Sequence, residues 1–182
     1  MRHIKFIRSI SLIISLFLIT SCSNNSAMKP EDFKNKEPRL VIEEYMTGNV
    51  KAWGVLQNRS GKVTRQFSAD LNGSWDGKQL ILKEKFNWDD GEVQNREWII
   101  NKIDDHYYEG TAGDVVGKAK GFSYGPAFKF EYVLLVPVKG KEMKITFDDW
   151  IFKQDDRVAI NRATMTKFGF KVAELTVVFV KD

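Results

Sequence analysis

Apolar and polar residues alternate one for one along most of this chain. Val63-Thr64-Arg65-Gln66-Phe67-Ser68-Ala69-Asp70-Leu71 does so, as do Leu80 to Phe86 and Arg96 to Ile100, and Phe128 to Leu134 gives the cleanest run. Met143 to Phe152, Val158 to Met165 and Val172 to Val180 continue the pattern. A period of two puts alternate side chains on one face of a strand, so these runs predict sheet with one buried face. Turn signals separate them: Arg59-Ser60-Gly61-Lys62, Asp76-Gly77, Asp89-Asp90-Gly91, Asp104-Asp105, Gly125-Pro126 and Lys139-Gly140-Lys141. Asp-Gly pairs supply the positive φ that tight hairpins need.

The spacing predicts nine or ten strands in an all-β, antiparallel up-and-down meander. Closure into a lipocalin-like barrel removes the exposed edges, and a flatter sandwich is the alternative. Gly110, Gly117 and Gly121 fall where a barrel wall must coil sharply or pack closely. A short helix fits within Glu31 to Met46, interrupted at Pro38, and Phe168-Gly169-Phe170 reads as a bend before the last strand.

Residues 1–21 break the pattern. Arg2, Lys5 and Arg8 precede an apolar stretch from Ile10 to Ile19, and Ile19-Thr20-Ser21 leads to Cys22. The stretch is too short for a bilayer span, which takes about 20 apolar residues. Its flanks fit a cleaved leader. Small residues before a cysteine suit a lipoprotein signal peptidase, and the thiol can carry a diacylglyceryl group. The expectation is a signal peptide over 1–21 and lipidation at Cys22, with several acyl chains holding the protein stably to the membrane. Ser23 stands where an aspartate would favour inner-membrane retention. The expected location is therefore the inner leaflet of the outer membrane, facing the periplasm. Residues 22–38 read as the lipidated N-terminus and a flexible tether reaching roughly 20–25 Å, and 39–182 as the barrel domain.

The leader also changes the charge picture. It holds three of the 28 basic residues and none of the 24 acidic ones, so 25 basic face 24 acidic residues in the mature chain. That balance gives no reason to expect nucleic acid as a partner. The 161 residues from Cys22 onward suit one domain with a sizeable core. Cys22 is the sole cysteine, so stability must come from packing, for which the full chain carries 13 Phe, five Trp and five Tyr, all but Phe6 and Phe17 beyond the leader.

Several chemistries lack their residues. His106, in an Asp104-Asp105-His106 turn, is the one histidine after the leader, which leaves no zinc site of several His or Cys and little basis for a Ser-His-Asp arrangement. No Walker loop or G-x-G-x-x-G is present. No cofactor, metal or catalytic residue is expected.

The informative anomaly is charge on the aromatic faces. Arg65 shares a face with Phe67, Glu84 with Phe86 and Trp88, and Arg96 with Trp98. Arg162 is placed beside Val158, Ile160 and Thr164, and Phe147-Asp148-Asp149-Trp150 puts one carboxylate on each face of its strand. Charge on an interior face is costly unless paired. Two arrangements answer this, and a third puts these residues in water at the barrel mouth. In one, Arg65, Arg96 and Arg162 grip the anionic head of an amphiphile, Glu84 and Asp149 orient them, and Phe67, Trp98 and Phe130 line the apolar part. In the other, the arginines and acids form a closed internal salt-bridge network that binds nothing.

Pro30-Glu31-Asp32-Phe33, Ala52-Trp53-Gly54, Gly73-Ser74-Trp75-Asp76-Gly77, Phe147-Asp148-Asp149-Trp150, Ile160-Asn161-Arg162-Ala163-Thr164 and Lys167-Phe168-Gly169-Phe170 resemble a family of bacterial lipoproteins of unknown function, DUF3833. The resemblance covers nearly the whole mature chain and implies no established activity. It implies a lipid-related setting. The expected function is therefore that of a membrane-anchored envelope lipoprotein binding a small amphiphile, such as a lipid or fatty acid, in a barrel cavity. The alternatives are an enzyme acting on a lipid and a structural or assembly partner in the envelope.

Overall fold

A computed structural model describes residues 27–138 and 140–182. The expected leader and Cys22 lie outside the described residues. Ten strands form one closed antiparallel barrel: β1 (Gly48–Asn58), β2 (Val63–Trp75), β3 (Gln79–Trp88), β4 (Val93–Lys102), β5 (Tyr107–Thr111), β6 (Ala119–Tyr124), β7 (Ala127–Val138), β8 (Lys141–Lys153), β9 (Val158–Lys167) and β10 (Phe170–Lys181). Each strand pairs with its sequence neighbours, and β1 closes the ring against β10 with Val50 opposite Lys181 and Ala52 opposite Phe179. The meander and its closure are those the alternation predicts. On β2 the buried side chains are Phe67, Ala69 and Leu71, with polar residues between them facing out. The hairpins turn where Asp, Gly and Asn permit; Gly91, at φ 87, closes the β3–β4 turn by donating its N–H to the Trp88 carbonyl.

One end of the barrel is plugged. A short helix α1 (Ile42–Met46) buries Ile42, Tyr45 and Met46, preceded by Leu40, against Val50, Leu71, Leu80 and Ile100. Its backbone lies against Gly73, where a side chain on β2 would strike the Met46 carbonyl. Hydrogen bonds fix the plug on three sides. The Leu40 N–H donates to the Gly125 carbonyl at 2.8 Å, and the Tyr45 hydroxyl to the Arg157 carbonyl at 2.9 Å. Lys181 Nζ donates to the carbonyls of Glu44, Tyr45 and Thr47 at 2.9, 2.9 and 2.6 Å, satisfying the helix C-terminus with a cation. Glu43 is buried beneath α1, where Lys102 Nζ (2.8 Å) and the Tyr108 hydroxyl (2.9 Å) donate to its carboxylate. Burial opposes that charge, but the two donors outweigh it and hold Glu43 below its ordinary pKa.

The expected tether ends earlier than residue 38. From Pro30 a single 3₁₀ turn (Pro30–Phe33) docks on the outer wall, with the Phe33 ring 6.0 Å from Trp150 and 5.5 Å from Phe152. An aromatic ring within a polar stretch gains more from those outward-facing rings than from water.

Three phenylalanines lie across inward glycines: Phe67 over Gly54, Phe130 over Gly110 and Phe128 over Gly121. The missing side chains let each ring lie along the inner wall over an adjacent strand or the one beyond it. Gly110 and Gly121 thus mark close packing, whereas Gly117, at φ 74 with open space around it, serves the β5–β6 loop. Near the plug Tyr108 packs edge-on to Phe128 at 5.5 Å, and Phe128, Ile42 and Met46 floor the space beyond.

Candidate functional site

Beyond the plug the barrel is hollow. A cavity of about 290 Å³ lies between β2, β3 and β4 on one side and β7 to β10 on the other. That is near the lower end of pockets that hold small molecules, which begin at about 300 Å³. Leu56, Phe67, Phe86, Leu134, Ile151 and Val177 belong to its apolar wall. Phe67 packs edge-on to Phe86 at 5.2 Å, and Trp98 lies 5.0 Å from Phe130 and 5.3 Å from Tyr132.

A belt of polar groups crosses this wall. Glu84 on β3 and Arg96 on β4 are cross-strand partners. Arg96 turns toward the β5–β6 loop and grips Asp114 with two nitrogens, Nη2 to Oδ2 at 2.8 Å and Nε to Oδ2 at 3.1 Å. That loop is held against β7, where Leu135 N–H donates to the Asp114 carbonyl (2.9 Å) and Val116 N–H to the Val133 carbonyl (2.8 Å). Across the cavity, Asp149 on β8 accepts from the Tyr132 hydroxyl at 2.9 Å and from Asn161 Nδ2. Glu84 is less well served. Its Oε2 is buried without a hydrogen-bond donor, and the nearest Arg96 nitrogen is 3.8 Å away.

The protonation states follow this geometry. Burial pushes the Glu84 carboxyl up to about 7, against the pull of Arg96 and a weaker one from the Trp98 indole, with Asp149 and Asp114 adding to the rise. Burial likewise raises Asp149 to about 6, although Asn161 and Tyr132 hydrogen-bond its charged form. The Tyr132 phenol is driven well above its usual range, first by burial and then by Asp149. Burial also works against the Arg96 cation, but Glu84 and Asp114 outweigh it. Arg96 is therefore charged with Asp114 as its bonded counter-ion, and Glu84 bears the desolvation cost.

Arg65, Phe67, Glu84, Arg96, Trp98, Phe130 and Asp149 all line the cavity. Arg162 does not. Its side chain is 68% exposed on the outer face and reaches Glu174 at 3.9 Å. The inward residues of β9 are Ala159, Asn161 and Ala163, so the alternation was correct there and its phase was not. Arg65 sits at the mouth, opposite the plugged end. It donates to Asp90 at 2.7 Å and Glu92 at 2.9 Å, and its guanidinium lies 4.0 Å over the Trp88 ring. The three arginines thus do not converge on one anionic head. Two hold acids within this barrel and the third faces solvent. Asp148 faces outward toward Lys129, 3.5 Å away, so the two adjacent acids do serve opposite faces.

Asp114, Tyr132 and Asn161 were not singled out by sequence reasoning. Asp114 lies in a loop with no period, and Asn161 stands between alanines, where small neighbours conceal the inward phase. Tyr132 carried a signal: it falls in register with Phe128 and Phe130 on the cleanest alternating run.

Two solved structures share this fold. The S-type phycobiliprotein lyase CPES from Guillardia theta superposes with a TM-score of 0.58 at 10% identity, covering 77% of this chain and 90% of that one. A protein of unknown function from the DUF3598 family of Nostoc punctiforme gives a TM-score of 0.58 at 12% identity, covering 81% of this chain and 51% of that one. The chain thus spans about half the length of that second protein. At such identities the likeness is one of fold, the lipocalin-like barrel. No curated protein matches the chain in sequence. The family model described as "Protein of unknown function (DUF3833)" matches residues 16–181, and the chain belongs to that family.

Proposed function

We propose that this protein is an envelope lipoprotein, anchored through Cys22 on the periplasmic side of the outer membrane, whose barrel binds one small amphiphile of lipid kind. The observation that carries the binding reading is the cavity of about 290 Å³, with apolar and aromatic walls and a few convergent polar groups. Apolar walls take up a chain or ring, and the belt of Glu84, Arg96, Tyr132 and Asp149 meets its polar end. The charged leader, the apolar stretch and the small residues before Cys22 support the anchor.

Native mass spectrometry of the protein released from its own membranes tests the binding reading. A bound species of lipid-like mass, lost on denaturation, is expected; an apo mass that no added amphiphile shifts would overturn it. Labelling with an alkyne fatty acid tests the anchor. Signal that disappears in Cys22→Ser is expected, and signal that persists there would refute lipidation at this residue.

A further inference from the structure

The guanidinium groups of the cavity are held by acids of this chain, although Arg65 Nε, at the mouth, is buried without a partner. Arg96 is committed to Asp114, and Arg65 to Asp90 and Glu92. Asp149 has a donor on each oxygen, Tyr132 on one and Asn161 on the other. Within the belt, away from the mouth, the unpartnered group is Glu84, whose side chain is 11% exposed and whose Oε2 accepts no hydrogen bond inside a cavity walled by rings. A buried acceptor without a donor is costly, and it becomes favourable when a ligand brings the donor.

Charge points the same way. Around the belt, Glu84, Asp114 and Asp149 face Arg96, and at the mouth Arg65 is matched by Asp90 and Glu92. A carboxylate or phosphate placed there would add to an excess of negative charge. A cation restores balance, and the faces of Phe86, Trp98, Phe130 and Tyr132 favour it further.

Resting on the binding function proposed above, we propose that the ligand is an amphiphile with a cationic nitrogen head, whose N–H groups donate to Glu84 while its apolar body fills the ring-lined hollow. Binding moves a proton as well as a ligand. Glu84 is buried among Arg96 from β4, Asp114 from the β5–β6 loop, Tyr132 from β7 and Asp149 from β8, and its carboxyl is raised to about 7. Near neutral pH an arriving ammonium ionises it and releases the proton to solvent.

The test uses the full-length protein and three probes that share a ring: 2-naphthylmethylammonium, 2-naphthylmethanol and 2-naphthoate. The wild type is expected to bind the ammonium about tenfold more tightly than the alcohol, the worth of one charge-assisted hydrogen bond, with the naphthoate weakest. Glu84→Gln should erase that preference, so that the ammonium binds no more tightly than the alcohol. Calorimetry of the wild type in two buffers of different ionisation enthalpy gives a readout that needs no variant. Proton release is expected on binding the ammonium and none on binding the alcohol. Naphthoate binding as tightly as the ammonium, or an ammonium preference untouched in Glu84→Gln, would overturn the head-group assignment while leaving the cavity a binding site. Failure of all three probes to bind would count against the binding function itself.

Discussion

Glu84 and Arg96 stand opposite each other on adjacent strands, yet the arginine spends its short hydrogen bonds on Asp114 and leaves the glutamate 3.8 Å away. A register pair that looks like a closed ion bridge is thus an arginine–aspartate bridge with a nearly unpartnered acid beside it. The consequences are measurable.

Glu84 should make stability fall as pH rises. Its folded pKa of about 7 lies above the ordinary 4.5, so the folded state holds the proton more tightly than the unfolded chain does. The protonated carboxyl is tolerated at low pH, and the penalty grows as pH climbs from about 4.5 through about 7. Asp149, at about 6, adds to the same trend over a lower window. Glu84→Gln removes the penalty. Urea unfolding should show the variant more stable than wild type by about 3 kcal/mol near pH 8 and equal to it near pH 4.

Arg96→Met should be harmful in proportion to how many acids it strands. Asp114, Glu84 and Asp149 would share a buried site with no cation, at a cost of about 3–5 kcal/mol near pH 8. The loss should shrink near pH 5, where Glu84 and Asp149 are protonated. Hydrogen exchange should quicken at Val116 and Leu135, whose amides bind the Asp114 loop to β7. Arg162→Ala, on the exposed outer wall, serves as control and should change stability by under about 0.5 kcal/mol.

The plug should respond to acid in the opposite sense. Glu43 has a lowered folded pKa, so the stability it gives is present above the ordinary 4.5 and is lost as pH falls below it. Glu43→Gln leaves Lys102 without its partner and should cost about 2 kcal/mol near pH 7, with a smaller loss in acid. Thermal melts across pH compare the two.

Gly110→Ala tests the ring-over-glycine packing. A Cβ there would approach the Phe130 ring at 2.5 Å, with the ring braced by Trp98, Phe128 and Tyr132. The expected cost is about 1–3 kcal/mol. Phe130→Leu in the same chain should recover part of it, a coupling that a double-mutant cycle reads directly.

Much of this could be read before any coordinates. Seven of the ten strands announced themselves by alternation, because a barrel wall has one wet and one dry face throughout. The inward placement of Arg65, Glu84 and Arg96 was equally legible, since each shares its face with bulky rings. Arg162 is misplaced because β9 fills this stretch of its inner face with small residues, Ala159, Asn161 and Ala163, opposite the bulkier Phe179, Ile151 and Leu175 of its neighbours. Size matching across strands set the phase there, and a single strand's hydrophobicity cannot report it. β5 and β6 are short and glycine-bearing, which leaves too few alternations to count. Asp114 is delivered by the pairing of a loop with a distant strand, which no local pattern encodes.

The seam between β1 and β10 gives the fold a temporal order. Val50 and Lys181 meet across nearly the whole length of the described chain, and that pairing sets Gly54 beside Val177. Neighbouring hairpins can zip early, because each needs only a short loop to close. The chamber gains its last wall only when the two distant strands join, after the largest entropic toll along the folding route. On the binding function proposed above, an occupied chamber would favour the joining of β1 to β10, the contact made at the greatest separation along the described chain.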